Sequence, residues 1–222
     1  MDFSDVLTKN NILLLLSGLE FTVIYSVISF GLSLIFGTIL AFCQLSKNKI
    51  IHSFSIIYLS WFRGTPLLVQ LFLMYYGLPL LLNMNTIAWI SGILSLGLYS
   101  GSYSSQIIRG AIQSIEKGQL EAGRSLGLSY FLTMKLVVLP QAIRRTFAPM
   151  TNEFISVVKN SSLLSTITVV ELFREANLIM SSNYRTLETL IVAAILYYIF
   201  NNLIGILGSL LERKLRLKGE IG

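Results

Sequence analysis

Glu153, Ser156 and Asn160 stand three and four residues apart, so a helix puts an acid and two neutral polar groups on one face. Asn152, Ser156 and Lys159 share the adjoining face and add a base. An acid and a base in an apolar stretch complement a zwitterion: Glu153 can meet an ammonium group and Lys159 a carboxylate. The same two residues could instead satisfy each other or neighbouring helices, or Lys159 could lie at a membrane interface. Arg63 and Gln70, seven residues apart, form a second polar pair. Thr65-Pro66 between them releases backbone groups, which is tolerated where protein or a water-filled cavity satisfies them. Arg63 is also suited to anchoring one helix to another.

Bond-making chemistry has little to work with. His52 is the single histidine and Cys43 the single cysteine, so neither a cysteine cluster nor a histidine-rich metal site can be assembled within one chain. HExxH, GxSxG and the phosphate-cradling GxxxxGK[ST] are all absent, so hydrolysis of ATP by this chain is not expected.

The elements that must position these residues are membrane helices. Of the 222 residues, 54% are hydrophobic and 13% charged, with a mean hydropathy of +0.71. About 20 consecutive apolar residues span a bilayer core. The expected spans are about 18–43, 53–82 (interrupted at Arg63-Gly64-Thr65-Pro66), 86–112, 134–160 and 187–211. Residues 3–17 read as a short amphipathic lead-in. Hydropathy marks four of these spans clearly; Arg144, Arg145, Glu153 and Lys159 weaken the signal over 136–160. Charge supplies the fifth. Five spans beginning outside place Lys47, Lys49, the basic residues from Arg109 to Arg145, and those from Arg213 to Lys218 on the inner side. That is the bias that cytoplasmic segments carry. The acidic start, Asp2 and Asp5, is unlike a cleaved signal peptide. The net charge of +6 is thereby assigned to cytoplasmic ends rather than to nucleic acid. Ser29, Ser33, Gly37 and Ala41 in the first span, and Gly97 and Gly101 in the third, are small-residue stripes that permit close helix packing.

Between the third and fourth spans lies a polar segment, about 117–128, that includes Glu121-Ala122-Gly123-Arg124-Ser125-Leu126-Gly127. Its composition describes a short helix, a left-handed turn at Gly127 and a new helix capped by Ser129. Pro140 sits a few turns further on, where a kink is expected.

This segment, with Leu139-Pro140, resembles the EAA loop of bacterial ATP-binding-cassette importer permeases. Arg63-Gly64-Thr65-Pro66-Leu67-Leu68-Val69-Gln70, Arg109-Gly110-Ala111-Ile112-Gln113, Lys159-Asn160-Ser161-Ser162-Leu163 and Leu211-Glu212-Arg213 follow in the order of polar amino acid permeases. The likeness covers about residues 15–216. It implies a single all-α integral membrane domain of five transmembrane helices, the type I importer permease (MetI-like) fold, with the N-terminus outside and the C-terminus cytoplasmic. It also implies two cytoplasmic ATP-binding subunits docked on Glu121, Ala122, Gly123, Gly127 and Pro140, and a second permease subunit, identical or homologous. An extracellular amino acid-binding protein would deliver the substrate. ATP and magnesium would belong to the ATPase partner, with no cofactor on this chain. Arg63, Gln70, Glu153, Ser156, Lys159 and Asn160 are the candidates for the substrate path. Two positions depart from the pattern: Gly123 replaces the usual alanine, which should loosen the helix by up to about 1 kcal/mol, and Gln106 stands where many relatives carry glutamate. A self-sufficient secondary transporter or channel is the competing reading. The short chain and the lack of recognisable inverted repeats speak against it.

Overall fold

The computed structural model describes residues 3–215, and every regular element among them is helical. The helices are α1 (Lys9–Leu45), α2 (Lys49–Gly64), α3 (Leu67–Leu82), α4 (Ala88–Gln113), α5 (Lys117–Ser125), α6 (130–160), α7 (Leu172–Asn183) and α8 (Thr186–Leu215). A 3₁₀ turn, Ser161–Ile167, leads from α6 toward α7.

Helix α1 begins earlier than hydropathy suggests. Thr8 caps it by accepting from the Asn11 amide at 3.3 Å, and it then runs 37 residues without a break. The expected lead-in is therefore largely the first turns of α1. The chain leaves α1 at Ser46 and re-enters a helix at Asn48, whose side chain accepts from the Ile50 amide at 2.9 Å. α2 stops because Pro66 disfavours helical backbone at Thr65, which is extended at φ −121° and ψ 148°. Across this break α2 and α3 turn by 105°.

Two prolines are handled alike. Pro79 and Pro140 each lack an N–H and would crowd the carbonyl four residues back. Each is preceded by one wide π turn, Leu73–Gly77 and Met134–Val138, closed by the Leu78 amide to the Leu73 carbonyl and by the Leu139 amide to the Met134 carbonyl. The kink expected near Pro140 therefore takes the form of a π turn.

By length and composition, α1 and α8 can each cross a membrane, both with a mean hydropathy of 2.1, and α2 with α3 qualify as a bent pair. α4 falls short because of its serines, and its Ser91, Ser95, Ser100, Ser102, Ser104 and Ser105 are buried. Buried hydroxyls that bond backbone are tolerable within a membrane protein. Here Ser95 donates to the Ser91 carbonyl, Ser102 to Tyr99 and Ser105 to Ser102, each at 2.7 Å.

The two small-residue stripes meet each other. A Cβ on Gly37 would lie 2.7 Å from Ser104 Cβ, and one on Gly97 would lie 2.9 Å from Leu32 Cβ. α1 and α4 therefore approach backbone to backbone, joined by Ser33 and Ser104 hydroxyls 3.3 Å apart and by Ser29 donating to the Ile93 carbonyl. This pair is the main contact of the fold; α6 packs on α4, and α8 on α6.

Candidate coupling helix and polar path

α5 lies against the ends of α4 and α6. Leu120 packs on the cluster formed by Ala111, Ile112, Ile115, Val138 and Ala142. Gly127 takes φ 84°, and the Leu128 amide bonds back to the Gly123 carbonyl at 3.2 Å, which closes the helix as the sequence suggested. Ser129 then caps α6, accepting from the Leu132 amide at 3.2 Å. Glu121, Ala122 and Arg124 are exposed, and Leu126 is 83% exposed. Gly123 alone on α5 is buried. A Cβ there would meet Thr133 Cγ2 at 2.5 Å and its Oγ1 at 3.0 Å. The glycine that departs from the alanine pattern is thus the residue that lets α5 seat on α6. Pro140 stands on α6 itself, exposed and one turn past Leu136.

The polar path is less simple than the spacing implies. Ser100 donates to Glu153 Oε1 at 2.7 Å, tying the acid of α6 to α4. The Arg63 guanidinium lies over the Tyr103 ring, 5.5 Å from its centre, and the Tyr99 and Tyr103 hydroxyls are 3.1 Å apart. Arg63 from α2 and Glu153 from α6 therefore flank one strip of α4: Tyr99, Ser100 and Tyr103. None of these three stood out in the sequence, where Tyr99-Ser100-x-x-Tyr103 reads as ordinary interior. The i, i+4 spacing of the two tyrosines was the available signal.

Lys159 is exposed and forms no ion pair with Glu153. Ser156 and Asn160 are half-buried along the same side of α6. Gln70 is buried and occupied differently. Its Nε2 donates to the Phe62 carbonyl at 2.9 Å, the Thr65 carbonyl at 3.1 Å and Thr65 Oγ1 at 2.7 Å, so it satisfies groups freed at the α2–α3 break. Only its Oε1 has no partner. Gln106 donates to Gln44 Oε1 at 2.7 Å, and Gln44 in turn donates to Ser105 Oγ at 3.2 Å. A neutral amide network thus joins α1 and α4 at Gln106. His52 bonds the Gln44 carbonyl through Nδ1 at 2.9 Å, fastening α2 to α1. Arg145 donates to the Ser114 carbonyl at 2.8 Å, fastening α6 to the end of α4.

At the other end of the fold, Glu171 is fully buried and caps α7. It accepts from the Phe173 amide at 2.9 Å, the Arg174 amide at 2.6 Å and the Tyr197 hydroxyl at 2.9 Å. Burial outweighs these three donors and the carboxyl is pushed up to about 7.

The family described as "Binding-protein-dependent transport system inner membrane component" matches residues 33–217. The chain is similar to the arginine transport system permease protein ArtQ of Bacillus subtilis, 36% identical over 216 residues, 97% of this chain and 98% of that one. It is also similar to the L-cystine transport system permease protein TcyB of the same organism, 38% identical over 203 residues, 91% of this chain and 86% of that one. Among solved structures, an amino acid ABC transporter crystallised with histidines superposes with a TM-score of 0.90 at 35% identity, covering 96% of this chain and 99% of that one. A methionine ABC transporter in an inward-facing conformation, 18% identical, shares the fold with a TM-score of 0.79. A chain with these helices, this exposed helical segment and this likeness from end to end belongs to the binding-protein-dependent transport system inner membrane components, the permease subunits of type I ABC importers.

Proposed function

We propose that this chain is the permease subunit of an ATP-driven importer for a polar L-amino acid in the bacterial cytoplasmic membrane. Its substrate arrives from an extracellular binding protein. Two such subunits, identical or homologous, surround one path, and two cytoplasmic ATPase subunits that use ATP and magnesium supply the energy. The chain forms one transmembrane domain over 1–222 with spans of about 18–43, 53–82, 86–112, 134–160 and 187–211, the N-terminus outside and the C-terminus inside. The observation that carries the substrate class is the pair of opposite charges, Arg63 and Glu153, on either side of the Tyr99–Ser100–Tyr103 strip. A carboxylate already accepting one hydroxyl has lone pairs left for an ammonium group. A guanidinium over a tyrosine face keeps its donors for a carboxylate. Lys159, Ser156 and Asn160 continue the path along α6.

Coupling follows from the seat of α5. Glu121, Ala122 and Leu126 present the surface on which an ATPase docks, while Gly123 against Thr133 and Leu120 against the α4–α6 cluster carry its displacement inward. α4 and α6 are also the helices that hold Ser100 and Glu153. Movement of α5 therefore alters the spacing across the polar path.

Uptake of radiolabelled amino acid into proteoliposomes holding the complete complex tests this reading. Glu153→Ala and Lys159→Ala should each lower uptake about tenfold or more, as loss of a charge-assisted contact does, with assembly and basal ATP hydrolysis intact. Normal uptake in both would leave these side chains a structural role.

A further inference from the structure

α1, α6 and α8 leave a groove of about 520 Å³ between them, lined by Phe30 and Leu34 of α1, Phe147 and Phe154 of α6, and Leu207 and Leu211 of α8. Its walls are apolar almost throughout, and it lies on the side of α6 opposite the stripe of Asn152, Ser156 and Lys159. It therefore faces away from that stripe, with Glu153 about a quarter turn round the helix. From Ile143 to Phe154 it runs about 16 Å along α6 at the helical rise. That is close to half of a hydrocarbon core of about 30 Å. A groove of this length and apolar lining suits a hydrocarbon chain.

The two ends differ in charge. The upper end, at Val27, Phe154 and Ile204, has no charged lining residue. At the lower end, marked by Leu34, Ile143 and Leu211, Arg144 adjoins Ile143 on α6, and Lys214 stands one turn past Leu211 on α8. Arg144 is half-buried and Lys214 exposed; with Arg213 they outweigh Glu212 on the same turn. We propose that the groove holds one acyl chain of an anionic phospholipid of the cytoplasmic leaflet, with its phosphate between Arg144 and Lys214. The leaflet rests on the orientation proposed above, whereas the groove and its charge do not. A lipid seated there wedges α1 against the α6–α8 pair, beside the α6 helix that carries Glu153.

Native mass spectrometry of the complete detergent-purified complex tests this, with added phosphatidylglycerol or phosphatidylcholine of identical chains. The wild type should retain the anionic lipid in preference. Arg144→Ala with Lys214→Ala should lower that retention roughly tenfold to thirtyfold, given the usual worth of two basic contacts, and leave phosphatidylcholine unchanged. Met150→Trp, which fills the groove, should lower retention of both lipids, and the mass of the intact complex in the same spectrum reports that each variant is assembled. Equal retention of the two lipids by the wild type, or retention untouched by either variant, overturns the proposal. So does a disulfide between Leu207→Cys residues of two copies, which would put a second subunit over the groove. Labelling of Lys214→Cys only from outside the cell would reverse the orientation, a failure read independently of the lipid measurement.

Discussion

Gly123 shows how one residue changes meaning between a helix and a packed helix. In an isolated helix, glycine costs up to about 1 kcal/mol relative to alanine, so alanine at 123 should help. In the fold, the added methyl would meet Thr133 Cγ2 at 2.5 Å, where both residues are buried. Overpacking of this kind typically costs about 1–3 kcal/mol, so the clash outweighs the propensity. Gly123→Ala should therefore lower the melting temperature of the purified chain and weaken ATPase docking. Gly123→Ala with Thr133→Ser, which removes the offending Cγ2, should restore both. A Gly123→Ala chain as stable as the wild type would remove the steric account.

On the scale of elements, the polar segment and the prolines decide how α5 and α6 work as a unit. α5 is short, held by its glycine and Leu120, and its outward face is Glu121, Ala122 and Leu126. Reversal of charge at Glu121 changes that exposed face without touching the packed one. Glu121→Lys should leave the chain as stable as the wild type to within about 0.5 kcal/mol, as surface changes do, yet disrupt co-purification with the cognate ATPase. Undiminished co-purification and transport would place docking elsewhere. The polar stripe on α6 was legible from spacing, since Glu153, Ser156 and Asn160 do share a side of that helix. Gln70 was not, because periodicity gives a face and says nothing of a partner. Its amide nitrogen is spent on Phe62 and Thr65, groups that only the 105° break at Thr65-Pro66 sets free.

For the whole molecule, Glu171 joins helices far apart in sequence: it caps α7, accepts from Tyr197 on α8, and lies beside Gly18 of α1, where an added Cβ would come within 3.0 Å of the Glu171 carbonyl oxygen. Its carboxyl is raised from an ordinary 4.5 to about 7. The folded state therefore holds a proton that the unfolded chain has already lost, so the stabilisation is complete below pH 4.5 and drains away as pH rises to about 7. The melting temperature of the purified chain should fall between pH 5 and pH 8. Glu171→Gln, which cannot ionise, should flatten this slope whatever its effect on mean stability. An unchanged slope would assign the pH dependence to other groups.

Composition and charge placement identified a membrane chain, and ordered blocks from Arg63 to Arg213 identified its family, because hydropathy and local motifs are properties of consecutive residues. Spacing likewise placed the glycine turn, the Ser129 cap and the small-residue stripes of α1 and α4. What needed the tertiary structure was pairing. Ser100 meets Glu153 across 53 residues and Gln44 meets Gln106 across 62. Arg63 finds Tyr103, and Gly123 finds Thr133. Such contacts depend on the angle and depth at which helices cross, which are set by the bend at Pro66, the π turns before Pro79 and Pro140, and the close approach of α1 to α4. No window of sequence contains both partners, so only the packed helices bring Glu153 and Arg63 to the tyrosine strip of α4.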